Sequence, residues 1–506
     1  MKEWAAAKSE TDFRRGSIFI FSLTAMLVLM VLGVLSIQVA IQSVNRASHD
    51  RDSSMAFNLA EAGADQGEAW LREQGAPPES AHSIGPMLLE NGTYEVTITP
   101  DTGNDYAWLK SYTVQSTGTL SGGQAYRTVT MKLQQQSFAL YSYFTNQEIS
   151  SVSGSTIWFY SGDRVRGPVH TNDRFHLAWS TSATDPIFYD TVSSRSTNTE
   201  WNPFAPRNDN EWRKVFAGGR DAFTTGVDRI PLPSSSELQK LAAWGSASGF
   251  PGTDGVYLPN NGSQVSAGIY VRGNNTVTFS VESGTGNQLI AIRVGTSTTN
   301  IRVDLPGNQT TVTPPSGSPT TYTGTPNGVI YSTGSITSLK GMLANNYENG
   351  STIFARNAWT IATDVNSGKD ITITDNLIYQ TQPDSTQSRT ALCNLRAATL
   401  GLVSEDIVLG SGAPTNLTIN GVMLAGSETT TNGTFYNSTW NTTLKGSLRV
   451  LGGIIQKKRG PVGTFSGTSL ITGYRKDYNY DTRMVYAPPP YFPTTGMYDI
   501  KSWQYK

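Results

Sequence analysis

Cysteine is nearly missing from this 506-residue chain: Cys393 stands alone, so no internal disulfide and no thiolate metal cluster can form. In its setting, Ala-Leu-Cys-Asn-Leu, it reads as a small buried apolar residue. Charge is scarce as well. Asp, Glu, Lys and Arg supply 15% of the residues and the net charge is -1, against roughly 25% charged residues in average proteins. That balance argues against a nucleic-acid binder. P-loop, serine-hydrolase elbow, HExxH and dinucleotide fingerprints are all lacking. The expectation is a structural and interaction protein, not an enzyme, with no cofactor.

Two further absences shape the N-terminus. No charged residue falls within 16–45, and no proline precedes Pro77. Thirty helical residues rise about 45 Å, enough to cross a hydrocarbon core of about 30 Å. The run follows Arg14 and Arg15, exceeds the apolar length of a cleavable signal and lacks a small-x-small cleavage site after it, so it reads as a membrane anchor. Lys2, Lys8, Arg14 and Arg15 place the short N-terminal segment on the cytoplasmic side and the rest outside. From Val44 to about Leu71 apolar residues interleave with charged ones, predicting an amphipathic continuation of the same helix, with Gly63 and Gly67 as weak points.

Arg14-Arg15-Gly16-Ser17 before the apolar run, and the segment Met55-Ala-Phe-Asn-Leu-Ala-Glu61-Ala-Gly63-Ala, resemble the bacterial type IV pilin and pseudopilin class, particularly PilX-type minor pilins. The resemblance implies cleavage by a prepilin peptidase between Gly16 and Ser17. It also implies partnership with other pilin or pseudopilin subunits in the inner membrane, with assembly into a type IV pilus or type II secretion-like filament. Major pilins carry a glutamate at the fifth mature position. Here that position is Phe21, which points to a minor subunit at or near a filament tip.

Beyond the helix the period changes. Residues 93–99, 111–117 and 127–133 alternate apolar and polar, predicting three strands of a small pilin-like sheet. The expected organisation is a leader over 1–16, a transmembrane and amphipathic helix over 17–75, a small β head over 76–145 and a β-rich extracytoplasmic module over 146–506. The fold class is α+β. In the module, apolar triplets recur at short, uneven intervals between Gly and Asn turns, favouring a parallel β-helix-like solenoid over a sandwich. The stretch Gly167-Pro-Val-His-Thr-Asn-Asp173 and the closing stretch from Ile455 to Pro493 also resemble an uncharacterised family of exported bacterial proteins that join a pilin-like N-terminus to such a region.

Candidate chemistry is thin. His170, Asp173 and His176, with Asp163 upstream, could form a metal or acid/base site, the two histidines sharing one face if they share a strand. Asp477, Asn479 and Asp481 could present three oxygens to Ca²⁺, with the intervening tyrosines packed inward. Lys457-Lys458-Arg459 reads as a solvated basic turn. The module is expected to serve adhesion, on a surface or glycan ligand, or tip capping; the alternative is a membrane-tethered carbohydrate-active enzyme using the His170/Asp173 region.

Overall fold

The computed structural model describes residues 3–74, 78, 80–101, 109–123, 125–350, 352–466 and 469–506, with side chains from Ile18 onward. A long N-terminal helix is followed by a large β-rich domain of mixed parallel and antiparallel sheets. Helix α1 spans Glu3–Glu73. The side chains of Arg14, Arg15, Gly16 and Ser17 lie outside the described residues. The chain divides into two compact units. The smaller comprises Met1–Gly103, Lys110–Gln134 and Tyr498–Lys506, and the larger Asn104–Leu109 and Gln135–Met497.

In the smaller unit a sheet packs on the second half of α1. Its strands are β1 (His82–Leu89), β2 (Gly92–Pro100), β3 (Ser111–Leu120) and β4 (Tyr126–Ser137), antiparallel in chain order. β2 to β4 occupy the three stretches of alternation; β1 escaped that reading because Gly85 and Pro86 interrupt the pattern. The fifth strand comes from the C-terminal end of the chain, Thr494–Tyr505, where Thr128 and Lys506 exchange both backbone hydrogen bonds. The sequence reading placed 146–506 in one module, whereas Tyr498–Lys506 belongs to the smaller unit. That membership was unreadable locally because nearly all of the larger unit separates this strand from its partner, β4, along the chain.

The helix reaches this sheet through small residues. Ala56, Leu59, Ala60, Gly63, Ala64, Gly67 and Leu71 form the buried stripe, at helical spacing. A side chain at Gly63 would meet Tyr94 Cδ2 at 2.7 Å, one at Gly67 would meet Val114 Cγ1 at 2.8 Å, and one at Gly118 on β3 would meet Leu59 Cβ at 2.7 Å. Gly63 and Gly67 therefore permit close approach of backbone to sheet, which outweighs their propensity cost of about 1 kcal/mol each.

The larger unit is organised by parallel ladders. One column runs Ile269, Ile330, Ile361, Leu402, Met423, Ile454, Tyr143, Val169, Val192, Phe223, each residue registered with the next across parallel strands. All ten belong to one apolar core. A second column runs Leu377, Ile419, Val450, Tyr478, Val165, Phe188, Phe216, and a third Ile336, Ile371, Ile407, Phe435.

The order of the first column exposes how the chain is laid down. Strand β5 (Tyr143–Ser150) starts in the middle, and the strands Val169–Thr171, Val192–Ser194 and Phe223–Thr225 proceed to one end. The chain then crosses to the opposite end at Ile269–Arg272 and works back until Leu444–Arg459 pairs in parallel with β5. Nine spacings of about 4.8 Å make that crossing about 43 Å. The connecting segment lies over the outer side of the first column, where Leu232 and Ala243, the latter from the helix Glu237–Trp244, join Tyr270, Tyr331, Val403, Leu424, Ile455 and Phe144 in a second core. An antiparallel meander over Asn275–Val281, Gln288–Val294, Ser297–Asp304, Gln309–Thr313 and Thr320–Thr323 interrupts the parallel order. Cys393 is free and partly exposed, not the buried core residue the sequence suggested.

Candidate functional site

The first half of α1 is built for an apolar solvent. From Ile18 to Val44 every residue is exposed and none is charged, and the most apolar 18-residue window has a mean hydropathy of 2.8. The polar hydroxyls are satisfied within the helix: Ser22 Oγ donates to the Phe19 carbonyl at 2.9 Å, Thr24 Oγ1 to Ile20 at 2.9 Å, Ser36 Oγ to Leu32 at 2.8 Å and Ser43 Oγ to Ala40 at 2.8 Å. Such back-bonding is what a hydroxyl needs where water is missing. This is one helix long and apolar enough for a single-pass anchor. Phe21 is 76% exposed, so it presents only a ring at this point of the helix surface. Glu61 faces solvent, on the side of α1 opposite the buried stripe that includes Gly63.

His170 does not meet Asp173 or His176. It sits in the column of the second core, stacked on Phe144 at 5.1 Å, and is 1% exposed. Its Nε2 lies 3.1 Å from Asn172 Oδ1 and its Nδ1 2.9 Å from Ser193 Oγ. Burial lowers its pKa, so the neutral ring donates from Nε2 and accepts at Nδ1. Asn172 in turn accepts from the Ile230 amide at 2.9 Å and donates to Asn146 Oδ1 at 3.0 Å, tying the crossing segment to the ladder. Asp173 Oδ2 accepts from the Glu148 amide at 2.9 Å. His176 lies on a separate strand, His176–Ala178, in a different sheet, with Trp158 edge-on at 5.6 Å and Glu200 Oε2 3.4 Å from Nε2. The shared-strand expectation fails because Asn172 to Phe175 turn the chain between two sheets.

The oxygen triplet does not converge either. Asp477 Oδ1 faces Arg166 at 3.5 Å and its Oδ2 faces Arg449 at 3.7 Å, while Asn479 Oδ1 accepts from Arg166 at 3.2 Å. Asp481 lies past the strand end, 2% exposed, where it accepts from Arg483 Nη2 at 2.6 Å and Nε at 3.0 Å. Each carboxylate is already committed to guanidinium. Tyr478 and Tyr480 do pack inward. Among the described residues no group of three or more His, Cys, Asp or Glu side chains is placed to hold a metal.

The most concentrated electrostatics lie where β5 meets Leu444–Arg459. Arg459 Nη1 donates to Glu148 Oε2 at 3.0 Å and to the Ile157 carbonyl at 2.7 Å, with its guanidinium 3.9 Å over Phe159. Both charged side chains are at most 2% exposed. Thr145 donates to the other Glu148 oxygen. Burial pushes the Glu148 pKa up while Arg459 pulls it back. Nearby, Lys476 Nζ lies 3.1 Å from the buried Asp163, and burial lowers the lysine pKa. Gln456 Nε2 donates to Tyr143 Oη at 2.9 Å. Arg459 is thus sealed inside, not part of a solvated turn. Alternation along the strand Leu444–Arg459 would have turned Lys458 inward; a shift of register against β5 between Lys458 and Arg459 turns Arg459 in instead.

A family model described as a domain of unknown function (DUF4900) matches residues 105–197, a stretch that includes Gly167 to Asp173. No curated protein matches the chain. A solved structure, the competence-associated pilin ComZ from Thermus thermophilus, aligns over 90% of this chain and 98% of its own with a TM-score of 0.28 and 14% identity.

Proposed function

We propose that this chain is a minor pilin or pseudopilin-like structural protein, not an enzyme, of a type IV pilus or type II secretion-like filament. It would be anchored in a bacterial inner membrane with its N-terminus cytoplasmic, cut by a prepilin peptidase between Gly16 and Ser17, and display a parallel β-helix-like module for adhesion or tip capping. The observation carrying this reading is the division of labour along α1: an exposed apolar half with self-satisfied hydroxyls, then a half whose Ala and Gly stripe holds a sheet. A plain anchor has no need of the second half. The ladders of the larger unit favour the solenoid over the sandwich, since its columns are parallel and registered strand to strand. The Phe21 ring favours a tip position, because no carboxylate stands there to pair with a neighbouring terminal amine.

Intact-mass and N-terminal analysis, with and without a co-expressed prepilin peptidase, tests the proposal. The expected product begins at Ser17 and disappears in Gly16→Asp; an uncut chain under both conditions overturns it.

A further inference from the structure

Beside the seam between β5 and Leu444–Arg459 the surface opens into a cleft of about 290 Å³, at the lower end of the size of small-ligand sites. Its walls come from both ends of the module: Trp158 and Tyr160 from the first winding, Trp440, Phe465 and Lys476 from the last. The four aromatic residues are each partly exposed. Tyr160 and Phe465 lie 4.7 Å apart between centroids, and Trp158 is braced edge-on by the buried His176 at 5.6 Å. Two buried polar atoms, one on the lining residue Tyr160 and one on Asp163 behind the lining residue Lys476, are incompletely used. The Tyr160 hydroxyl is buried with no hydrogen-bond partner, and Asp163, 1% exposed behind Lys476, leaves Oδ1 unpartnered. Buried polar atoms are rarely left so unless something else pairs with them.

We propose that this cleft binds a β-linked pyranose sugar. An all-equatorial pyranose has two flat C–H faces and a rim of hydroxyls. Indole and phenol rings offer the complementary apolar planes, and the Lys476 ammonium offers a polar partner for the rim. A nucleobase would also stack, but it brings phosphate, which is held by free cations; Lys476 is already neutralised by Asp163. The inference rests on the reading of the module as an adhesive display and gives it a ligand class.

The test uses the full chain in detergent micelles, titrated with cellotetraose and, separately, with an oligothymidylate, followed by calorimetry and indole fluorescence. The expected result is saturable cellotetraose binding with a change in tryptophan emission. Trp158→Ala and Trp440→Ala should each weaken it about tenfold or more, as truncation of a central aromatic anchor does. Trp440→Phe, which keeps a ring and the fold, should retain binding, and Trp503→Ala in the smaller unit should leave it unchanged. Absence of binding at about 10 mM, where a 1 mM site is mostly filled, overturns the proposal. So does binding that survives both alanine variants, or binding of oligothymidylate in place of the sugar. N-terminal processing does not enter these readouts, so failure here leaves the pilin reading standing, and a chain that is never cut can still bind the sugar.

Discussion

The two units bury the face of a sheet by opposite means. In the smaller one, side chains are removed: Gly63, Gly67 and Gly118 let α1 lie against β2 and β3 at backbone distance. In the larger one, side chains are stacked: ten apolar residues line one column, and the buried charges Glu148 and Asp163 near its junction are paired with Arg459 and Lys476. Close approach tolerates no added atom, whereas a stacked column tolerates little loss of charge balance. Each unit is also closed by remote chain, through Thr128 and Lys506 in one and Tyr143 and Ile454 in the other.

The sharpest way to break the comparison is at the seam. Arg459→Met leaves Glu148 buried without its counter-ion and should cost about 3–5 kcal/mol, whereas removing both charges together with apolar replacements should recover most of that. Chemical unfolding of the two variants, followed by fluorescence of the larger unit, checks this; equal losses in both would show that the pair is not coupled.

Acid sensitivity gives the next effect. Burial raises Asp406 from the ordinary 3.8 to about 6, with Thr434 amide donation and neighbouring Asp370 and Glu405 as lesser influences. A carboxyl with a raised folded pKa binds more protons in the folded state between those values, so its contribution declines as pH rises from about 4 to about 6, by about 3 kcal/mol at most. Asp406→Asn, whose oxygen can still accept from the Thr434 amide, should flatten that slope and stabilise the larger unit at neutral pH. A denaturation series across pH 3–8 reads it, and an unchanged slope sinks the assignment.

The smaller unit responds to added volume instead. Gly118→Ala directs a methyl at Ala56, Leu59 and Ala60 of α1 and should destabilise by about 1–3 kcal/mol, with faster amide exchange confined to β2 and β3. Loss of protection in the large ladders as well would show that the effect is not confined to the smaller unit. The smallest effect belongs to Glu61→Gln, on the exposed face of α1, which should change stability by less than about 0.5 kcal/mol; a larger shift in thermal midpoint would mean that this face is occupied.

Much of the smaller unit was legible. The anchor follows from an uncharged run without proline, and β2 to β4 from strict alternation. β1 was hidden by Gly85 and Pro86, and the last strand by the distance to its partner. In the larger unit the apolar triplets could be read, yet their order could not. Successive column residues Ile330, Ile361, Leu402, Met423 and Ile454 are unevenly spaced along the chain, so no period marks the register. The candidate site fared similarly. His170 looked available for chemistry because sequence neighbours are polar, but Phe144 and Ser193, which define its role, come from adjacent strands of the ladder.

By itself the sequence determined the long helix with its apolar and amphipathic halves, the antiparallel core of the head and a Gly- and Asn-punctuated β-rich remainder, since each depends on period and composition within a short window. Only the tertiary structure decided that the chain starts its ladders in the middle, that Glu148 and Asp163 meet Arg459 and Lys476 from opposite ends of the larger unit's sequence, and that Trp158 and Trp440 share a cleft. Those pairings are fixed by parallel register between remote strands, and a local pattern of residues carries no information about which remote strand will arrive beside it.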